Sequence, residues 1–155
     1  MWQITPAHTA EQTAEARAMF LEYGEWLGFS LCFQGFDQEL ATLPGRYAPP
    51  SGRLLLATNG ADAAGVIALR GLDDETCEMK RLYVRPAFRG ERWGSKLAEF
   101  LLAEARAIGY RRMVLDTLPG KMDGAIALYR RLGFKEIAPY YDNPVKGAIF
   151  LERAL

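Results

Sequence analysis

Apolar residues recur at helical spacing in three stretches of the chain, and each stretch is followed by a glycine. The first stretch follows Thr9 and carries its apolar side chains at Ala16, Phe20, Tyr23 and Leu27, before Gly28. The second runs from Gly94 to Ile108, and the third from Lys121 to Leu132. Intervals of three and four residues place side chains on one helix face, and glycine readily adopts the left-handed conformation that ends a helix. The pattern therefore predicts three helices, the first opened by a capping box of Thr9 and Gln12.

Shorter apolar runs bounded by turn residues indicate β-strands before, between and after these helices. They are Trp2 to Thr5, Arg53 to Thr58, Ala63 to Arg70, Cys77 to Val84, Arg111 to Asp116, Phe134 to Ile137 and Ala148 to Glu152. Asn59 and Gly60 supply a turn between the second and third runs. The order of the elements predicts an α/β (α+β) sandwich built on one central sheet.

The segment from Ser30 to Pro50 is less regular and rich in aromatic residues. A short helix is predicted around Asp37 to Leu40, and prolines with a glycine then interrupt regular structure. Its aromatic side chains form either a lid over the core or a wall of a substrate pocket, with the lid favoured. These side chains are Phe29, Phe33, Phe36 and Tyr47.

Length and composition indicate one ordinary globular domain spanning residues 1–155. Hydrophobic residues make up 50% of the chain and charged residues 25%. Lys and Arg balance Asp and Glu, 19 against 19, so no overall field indicates binding to nucleic acid or to a membrane surface. Cys32 and Cys77 fit no metal-binding spacing, and neither a signal peptide nor a run of about 20 apolar residues is present. We therefore expect a cytoplasmic protein without a bound metal.

A basic, glycine-containing loop joins the strand ending at Val84 to the second helix. The first amides of a helix lack intrahelical partners, and the helix dipole adds roughly half a positive charge there, which favours anions. Six basic residues surround this loop against Glu78 and Glu91; they are Lys80, Arg81, Arg85, Arg89, Arg92 and Lys96. The loop is neither a P-loop nor a GxGxxG dinucleotide motif, because three residues separate Gly90 from Gly94 and Ser95 follows. A phosphate site and a solvated basic turn are both compatible with this pattern.

The same loop resembles the signature of the GNAT superfamily of N-acetyltransferases, with Val84, Pro86, Arg89 and Gly94 at matching positions. A second resemblance lies in the run from Ala125 to Phe134, which is similar to the family's late AxxLYxxxGF helix. Arg92 stands where the family usually has glycine, and Met122 where it often has asparagine. The resemblance covers about residues 70–155. It implies a mixed, mostly antiparallel twisted sheet, flanked by helices and splayed between the strands ending near Val84 and Asp116.

The resemblance implies acetyl-CoA as co-substrate. Its pyrophosphate would be held by the amides of Arg89 to Ser95, and its pantetheine would lie along the strand Leu82 to Val84. The residues assigned to acetyl-CoA are therefore Leu82, Tyr83, Val84, Arg89, Gly90, Glu91, Arg92, Trp93, Gly94 and Ser95.

The resemblance also implies two catalytic residues. Tyr129 stands at the family's tyrosine, which protonates the departing thiolate, although a core tyrosine would fit the same helical stripe. Glu78 stands where histone-type members carry a catalytic base, and strand alternation would place it on one face with Lys80, Leu82 and Val84. A salt-bridged Glu78 is an equal alternative, and Asp116 and Asp142 are reserve candidates.

The acceptor pocket is predicted from aromatic and polar residues in two segments, residues 33–47 and 140–142, although the second segment is equally compatible with an ordered turn of a hairpin. These residues are Phe33, Phe36, Tyr47, Tyr140, Tyr141 and Asp142. The expected function is transfer of an acetyl group to a primary amine of a small molecule or amino acid, by direct attack in a ternary complex. A non-catalytic acyl-CoA sensor is the alternative, and a basic nucleic-acid module a third reading. A homodimer is compatible with the family resemblance.

Overall fold

A computed structural model describes residues 1–28, 30–31 and 34–155. The helices are α1 (Ala10–Leu27), α2 (Phe36–Thr42), α3 (Trp93–Ile108) and α4 (Asp123–Arg131). The strands are β1 (Gln3–Pro6), β2 (Arg53–Thr58), β3 (Ala63–Gly71), β4 (Thr76–Val84), β5 (Arg112–Thr117), β6 (Lys135–Ile137) and β7 (Ile149–Ala154). Every predicted element is present, with ends shifted by one or two residues. The predictions for Phe29, Cys32 and Phe33 fall outside the described residues.

Local sequence signals set the ends of the two long helices. The Thr9 side chain accepts a hydrogen bond from the Gln12 amide while the Gln12 side chain bonds the Thr9 amide, so the predicted capping box is confirmed. Gly28 and Gly109 cap the carboxyl ends of α1 and α3 in the left-handed conformation. On α3, Leu102 is buried, whereas Phe100 is 38% exposed.

The seven strands of the described residues form one sheet in the order β1-β2-β3-β4-β5-β7-β6. All neighbouring pairs are antiparallel except β4 and β5. The parallel pair is joined only from Thr76 to Glu78 on β4 and from Arg112 to Val114 on β5. Beyond these residues the two strands separate. The predicted fold class and the predicted splay between them are therefore confirmed.

Helices cover both faces of the sheet. One core layer contains Leu97, Leu101, Met113 and Tyr129 and lies under α3 and α4. The other contains Phe20, Phe36 and other buried residues and lies under α1 and α2. No helix among the described residues is long and apolar enough to cross a membrane.

A β-bulge interrupts β4 at Arg81. Tyr83 pairs with Val66 and Lys80 with Ala68, so three steps along β4 oppose two along β3. Arg81 has a φ of 63°, which a residue with a side chain rarely adopts. The extra residue reverses the alternation, so Leu82 and Val84 pack with the α3 layer, whereas Tyr83 packs with the α1 layer. The predicted common face of Glu78, Lys80, Leu82 and Val84 is therefore wrong.

Candidate active site

A cavity of about 570 Å³ opens where β4 and β5 separate. Its walls come from the carboxyl half of α1, from β4, from the loop before α3, from β5, and from α4. Of the residues predicted to bind acetyl-CoA, eight line it: Leu82, Tyr83, Val84, Arg89, Gly90, Arg92, Trp93 and Gly94. Glu91 and Ser95 are not among the lining residues.

The amino terminus of α3 lies at one end of this cavity. Arg92 is its N-cap residue in the left-handed conformation, with a φ of 66°, and no side chain caps the helix. The amide of Lys96 is the first to bond back, to the Arg92 carbonyl at 3.0 Å. The amides of the first turn are therefore available to an anion, where the helix dipole also favours negative charge. The first turn of α3 therefore offers an anion site that fits a pyrophosphate.

Only part of the predicted basic cluster belongs to this end of the cavity. Arg85 is held by Glu15 at 2.6 Å and Glu22 at 2.9 Å, so its charge is compensated. Arg89 and Arg92 are exposed and line the cavity. The Arg89 guanidinium donates to the Val84 carbonyl at 3.0 Å and lies 5.8 Å from the centre of the Trp26 ring.

Among the residues that the structure describes, the edge of β4 that faces β5 has no strand partner after Glu78. This part of β4 contains Leu82, Tyr83 and Val84, and it forms one side of the cavity. A free strand edge offers main-chain donors and acceptors to an extended ligand. Pantetheine has two amide groups and fits such an edge.

Tyr129 lies on α4 with its ring 5.7 Å from that of Phe134 and lines the cavity. Its hydroxyl makes no hydrogen bond with any residue the structure describes. Burial, with the nearby Tyr23 and Asp116, raises the pKa of Tyr129 above its usual value. The hydroxyl therefore stays protonated at neutral pH and is free to act as a donor.

Glu78 is fully buried and does not line the cavity. Its Oε1 accepts from Arg70 Nε at 2.7 Å, and its Oε2 accepts from the Tyr140 hydroxyl at 2.5 Å. Burial opposes the charged form, but Lys80 and Arg70 outweigh it and hold the pKa of Glu78 below its usual value. Both oxygens are thus engaged, as expected for the salt-bridged alternative.

Asp116 is the carboxylate that lines the cavity, near the end of β5. Its Oδ2 accepts from the Tyr141 hydroxyl, from Asn143 Nδ2 at 2.9 Å and from Gln34 Nε2 at 3.5 Å. Lys80 Nζ donates to Gln34 Oε1 at 2.8 Å from the opposite strand. Burial and the Arg81 guanidinium lower the pKa of Lys80 to about 8.

The predicted acceptor residues lie around this polar group rather than within it. Tyr140 and Tyr141 pack against Phe150 and bond Glu78 and Asp116, respectively. Phe36 and Tyr47 are buried in the α1 layer, outside the cavity. Asp142 is exposed, and Phe33 falls outside the described residues.

Sequence reasoning missed Gln34 and assigned Lys80 to the phosphate loop. Lys80 carries only the signal of a charged residue inside an apolar strand, which indicates a buried charge but not its partners. Gln34 carries no signal at all, because it reaches the site from the irregular segment between α1 and α2. Asp116 was a reserve candidate.

Comparison with known proteins shows the family of this chain. The model of the acetyltransferase (GNAT) family matches residues 9–134. An uncharacterised N-acetyltransferase of Schizosaccharomyces pombe is 39% identical over 150 residues, covering 96% of this chain and 91% of that protein. An acetyltransferase structure from Streptococcus agalactiae superposes with a TM-score of 0.82 at 23% identity, covering 99% of this chain and 98% of that one.

A further GNAT acetyltransferase structure, from Elizabethkingia anophelis, was solved with acetyl-CoA bound. It matches with a TM-score of 0.65 at 22% identity and covers 99% of this chain and 98% of that one. These two structures share the fold. The family model and the Schizosaccharomyces pombe relative show that the similarity also holds for the amino-acid sequence, over most of the chain. The chain therefore belongs to the acetyltransferase (GNAT) family and is an acyl-CoA-dependent acetyltransferase.

Proposed function

We propose that the protein transfers the acetyl group of acetyl-CoA to the primary amine of a small molecule by direct attack in a ternary complex. One observation carries this proposal. A single cavity joins an uncapped helix amino terminus, a protonated tyrosine and a carboxylate on the splayed strand β5. These are the three groups that the reaction requires: an anion site, an acid and a base.

The donor occupies the end of the cavity beside α3. The amides of the Arg89 to Ser95 loop hold the pyrophosphate, and the Arg89 and Arg92 side chains add positive charge at the rim. The free edge of β4 binds the amides of the pantetheine. A main-chain amide of Leu82 or Val84 on this edge polarises the thioester carbonyl, because developing oxyanion charge is stabilised by a fixed donor.

The amine nitrogen attacks the thioester carbonyl carbon, and the carbon–sulfur bond breaks. Tyr129 gives its hydroxyl proton to the thiolate as it leaves. Its raised pKa keeps that proton in place at neutral pH until the sulfur develops charge. The hydroxyl has no competing partner among the described residues.

The ammonium form of the acceptor must first lose a proton. Asp116 is better placed to take it than Glu78, because Asp116 lines the cavity and Glu78 does not. Glu78 would have to release Arg70 and Tyr140 before it could act as a base. We therefore assign Glu78 to holding Arg70 and Tyr140 in position, and Asp116 to proton removal.

Release of CoA from acetyl-CoA across a panel of primary amines tests the function. The wild-type protein is compared with Tyr129→Phe, for which we expect kcat/KM to fall by about a hundredfold or more. Tyr110→Phe is the matched control, because the Tyr110 hydroxyl bonds the Ser51 carbonyl outside the cavity. Its turnover should match that of the wild type. Equal rates for Tyr129→Phe and the wild type would exclude the assigned acid.

Calorimetric titration with acetyl-CoA distinguishes the enzyme from the alternative of a sensor. Binding together with acetylated product, detected by mass spectrometry, supports the enzyme. Binding without turnover of any amine in a broad panel would favour the acyl-CoA sensor.

A further inference from the structure

Charged side chains of both signs lie in and around the end of the cavity lined by Lys80 and Asp116, and only some of them form ion pairs. Arg81 makes two bonds of 2.9 Å to the carboxylate of Glu39. Arg70 bonds Glu78 at 2.7 Å. Lys80 and Asp116 remain, and neither forms an ion pair with any residue the structure describes.

Lys80 is a buried ammonium group that lines the cavity. It is 5% exposed, and its only hydrogen bond within the described residues goes to the neutral Gln34 oxygen at 2.8 Å. An ammonium has three donors, so two are unused. Buried charges normally have a partner of opposite sign, because a charge removed from water without one is costly. Glu78 and Asp116 act on the Lys80 charge through space, but neither bonds it, so its two unused hydrogens are left for an anion that enters the cavity.

Asp116 lies on β5, across the cavity from Lys80 on β4, and carries the opposite charge. All three hydrogen bonds to its carboxylate reach Oδ2, from Tyr141, Asn143 and Gln34. Its Oδ1 receives none from the described residues. One oxygen is thus fixed by the protein, and the other is left for a donor from the cavity.

Gln34 bridges the Lys80 ammonium group and the Asp116 carboxylate. The carboxamide of Gln34 bonds Lys80 through its oxygen and approaches Asp116 through its nitrogen. One carbon separates these two atoms of a carboxamide. Two carbons separate the ammonium nitrogen from a carboxylate oxygen of an α-amino acid, so such a molecule is one bond longer than the carboxamide bridge and carries the charges in the required order.

We propose that the acceptor is an α-amino acid, bound with its carboxylate on Lys80 Nζ and its ammonium group on Asp116 Oδ1. This proposal rests on the proposed function. The bound amino acid compensates both unpaired charges at once. A simple amine would compensate only Asp116, and a peptide amino terminus would bring an amide rather than a carboxylate towards Lys80. The product is the N-acetylated amino acid.

Matched acceptors provide the test. The twenty L-amino acids are assayed with acetyl-CoA, and the best of them is compared with its carboxamide, which lacks the negative charge, at equal concentrations of the free amine. We expect kcat/KM for the amide to be lower by about a hundredfold, the range for leaving one member of a buried charge pair without its partner. Equal efficiency for the acid and the amide would overturn the inference and leave the proposed function intact.

Variants of Lys80 test whether this residue discriminates between the amino acid and its amide. In Lys80→Met the ratio of kcat/KM between amino acid and amide should fall towards one, whereas Lys80→Arg, which keeps the charge, should retain part of it. Circular dichroism confirms that each variant is folded. A full acid-to-amide preference in folded Lys80→Met would refute the anchor.

Binding without catalysis separates failure of this inference from failure of the proposed function. The same amino acid and its amide are titrated calorimetrically into the protein saturated with CoA. Preferential binding of the amino acid, lost in Lys80→Met, supports the carboxylate site even if no amine is acetylated. No preference between the two ligands would overturn it.

Discussion

Replacing Lys80 with methionine should stabilise the folded protein. Burial and Arg81 lower the pKa of Lys80 from 10.5 to about 8, so the folded state holds the ammonium less favourably than the unfolded chain does. Lowering the pKa from 10.5 to about 8 corresponds to roughly 3–4 kcal/mol of folding free energy. Methionine removes this cost, and Gln34 Oε1 keeps its bond from Arg81 at 2.7 Å.

The assay is thermal unfolding of both proteins at several pH values. For a chain of this length 1 kcal/mol corresponds to about 2–4 °C, so the melting temperature of Lys80→Met should rise by roughly 7–14 °C at pH 7. Lys135→Met is the control, because Lys135 is exposed on β6 and its removal should change the melting temperature little.

The pH dependence has a definite sign. Between pH 8 and 10.5 the unfolded chain binds more protons at Lys80 than the folded protein does, so the wild type gains stability as the pH rises. Glu78 has a lowered pKa, and Arg70 and Arg81 have raised ones, so these neighbours do not titrate in this window. The advantage of the variant should therefore be full below pH 8 and shrink towards pH 10.5.

An unchanged or lower melting temperature of Lys80→Met at pH 7 would refute this reasoning. It would mean that other groups already compensate the positive charge of Lys80 in the free protein. The ammonium group would then have no need of a bound anion. A rise that persists unchanged above pH 10.5 would assign the gain to packing instead of charge.

Three further substitutions test the loop and the two carboxylates. Arg92→Gly should stabilise the protein by about 1 kcal/mol in urea unfolding, because it removes a left-handed non-glycine residue, while the KM for acetyl-CoA rises with loss of the charge. Glu78→Gln should cost about 3 kcal/mol, since it leaves Arg70 without its partner, yet the folded fraction should keep kcat near the wild-type value. A stable but inactive Glu78→Gln would restore Glu78 as the base. Asp116→Asn should lower kcat/KM by about a hundredfold or more at unchanged acetyl-CoA affinity, and wild-type rates would exclude Asp116 as the base.

The sequence predicted the elements because their signals are local. The capping box at Thr9, the glycines after α1 and α3 and the apolar runs of the strands each depend on neighbouring residues. The family motif in the loop before α3 is also a run of neighbouring residues, so the resemblance could predict that this loop lies at a binding site. Local signals of this kind carry over directly into the fold.

The acceptor end could not be predicted in this way. Glu78 and Lys80 were placed with Leu82 by simple alternation, and nothing in the residues 80–82 marks the bulge that reverses it. The pairing of Arg70 with Glu78 across β3 and β4 decides which carboxylate is free, and it depends on strand register. The approach of Gln34 to Asp116 depends on tertiary structure, because the two residues are far apart in the chain.

The bulge at Arg81 should also allow the residues before it and the residues after it to be substituted independently. Lys80, before the bulge, is the proposed anchor of the acceptor, and Leu82 to Val84, after it, form the edge proposed to bind the donor. Substitutions in the segment before the bulge, above all at position 80, should therefore alter acceptor preference without disturbing thioester recognition. Exchange of this short segment between relatives offers a compact route to redesigning selectivity while keeping the acyl donor the same.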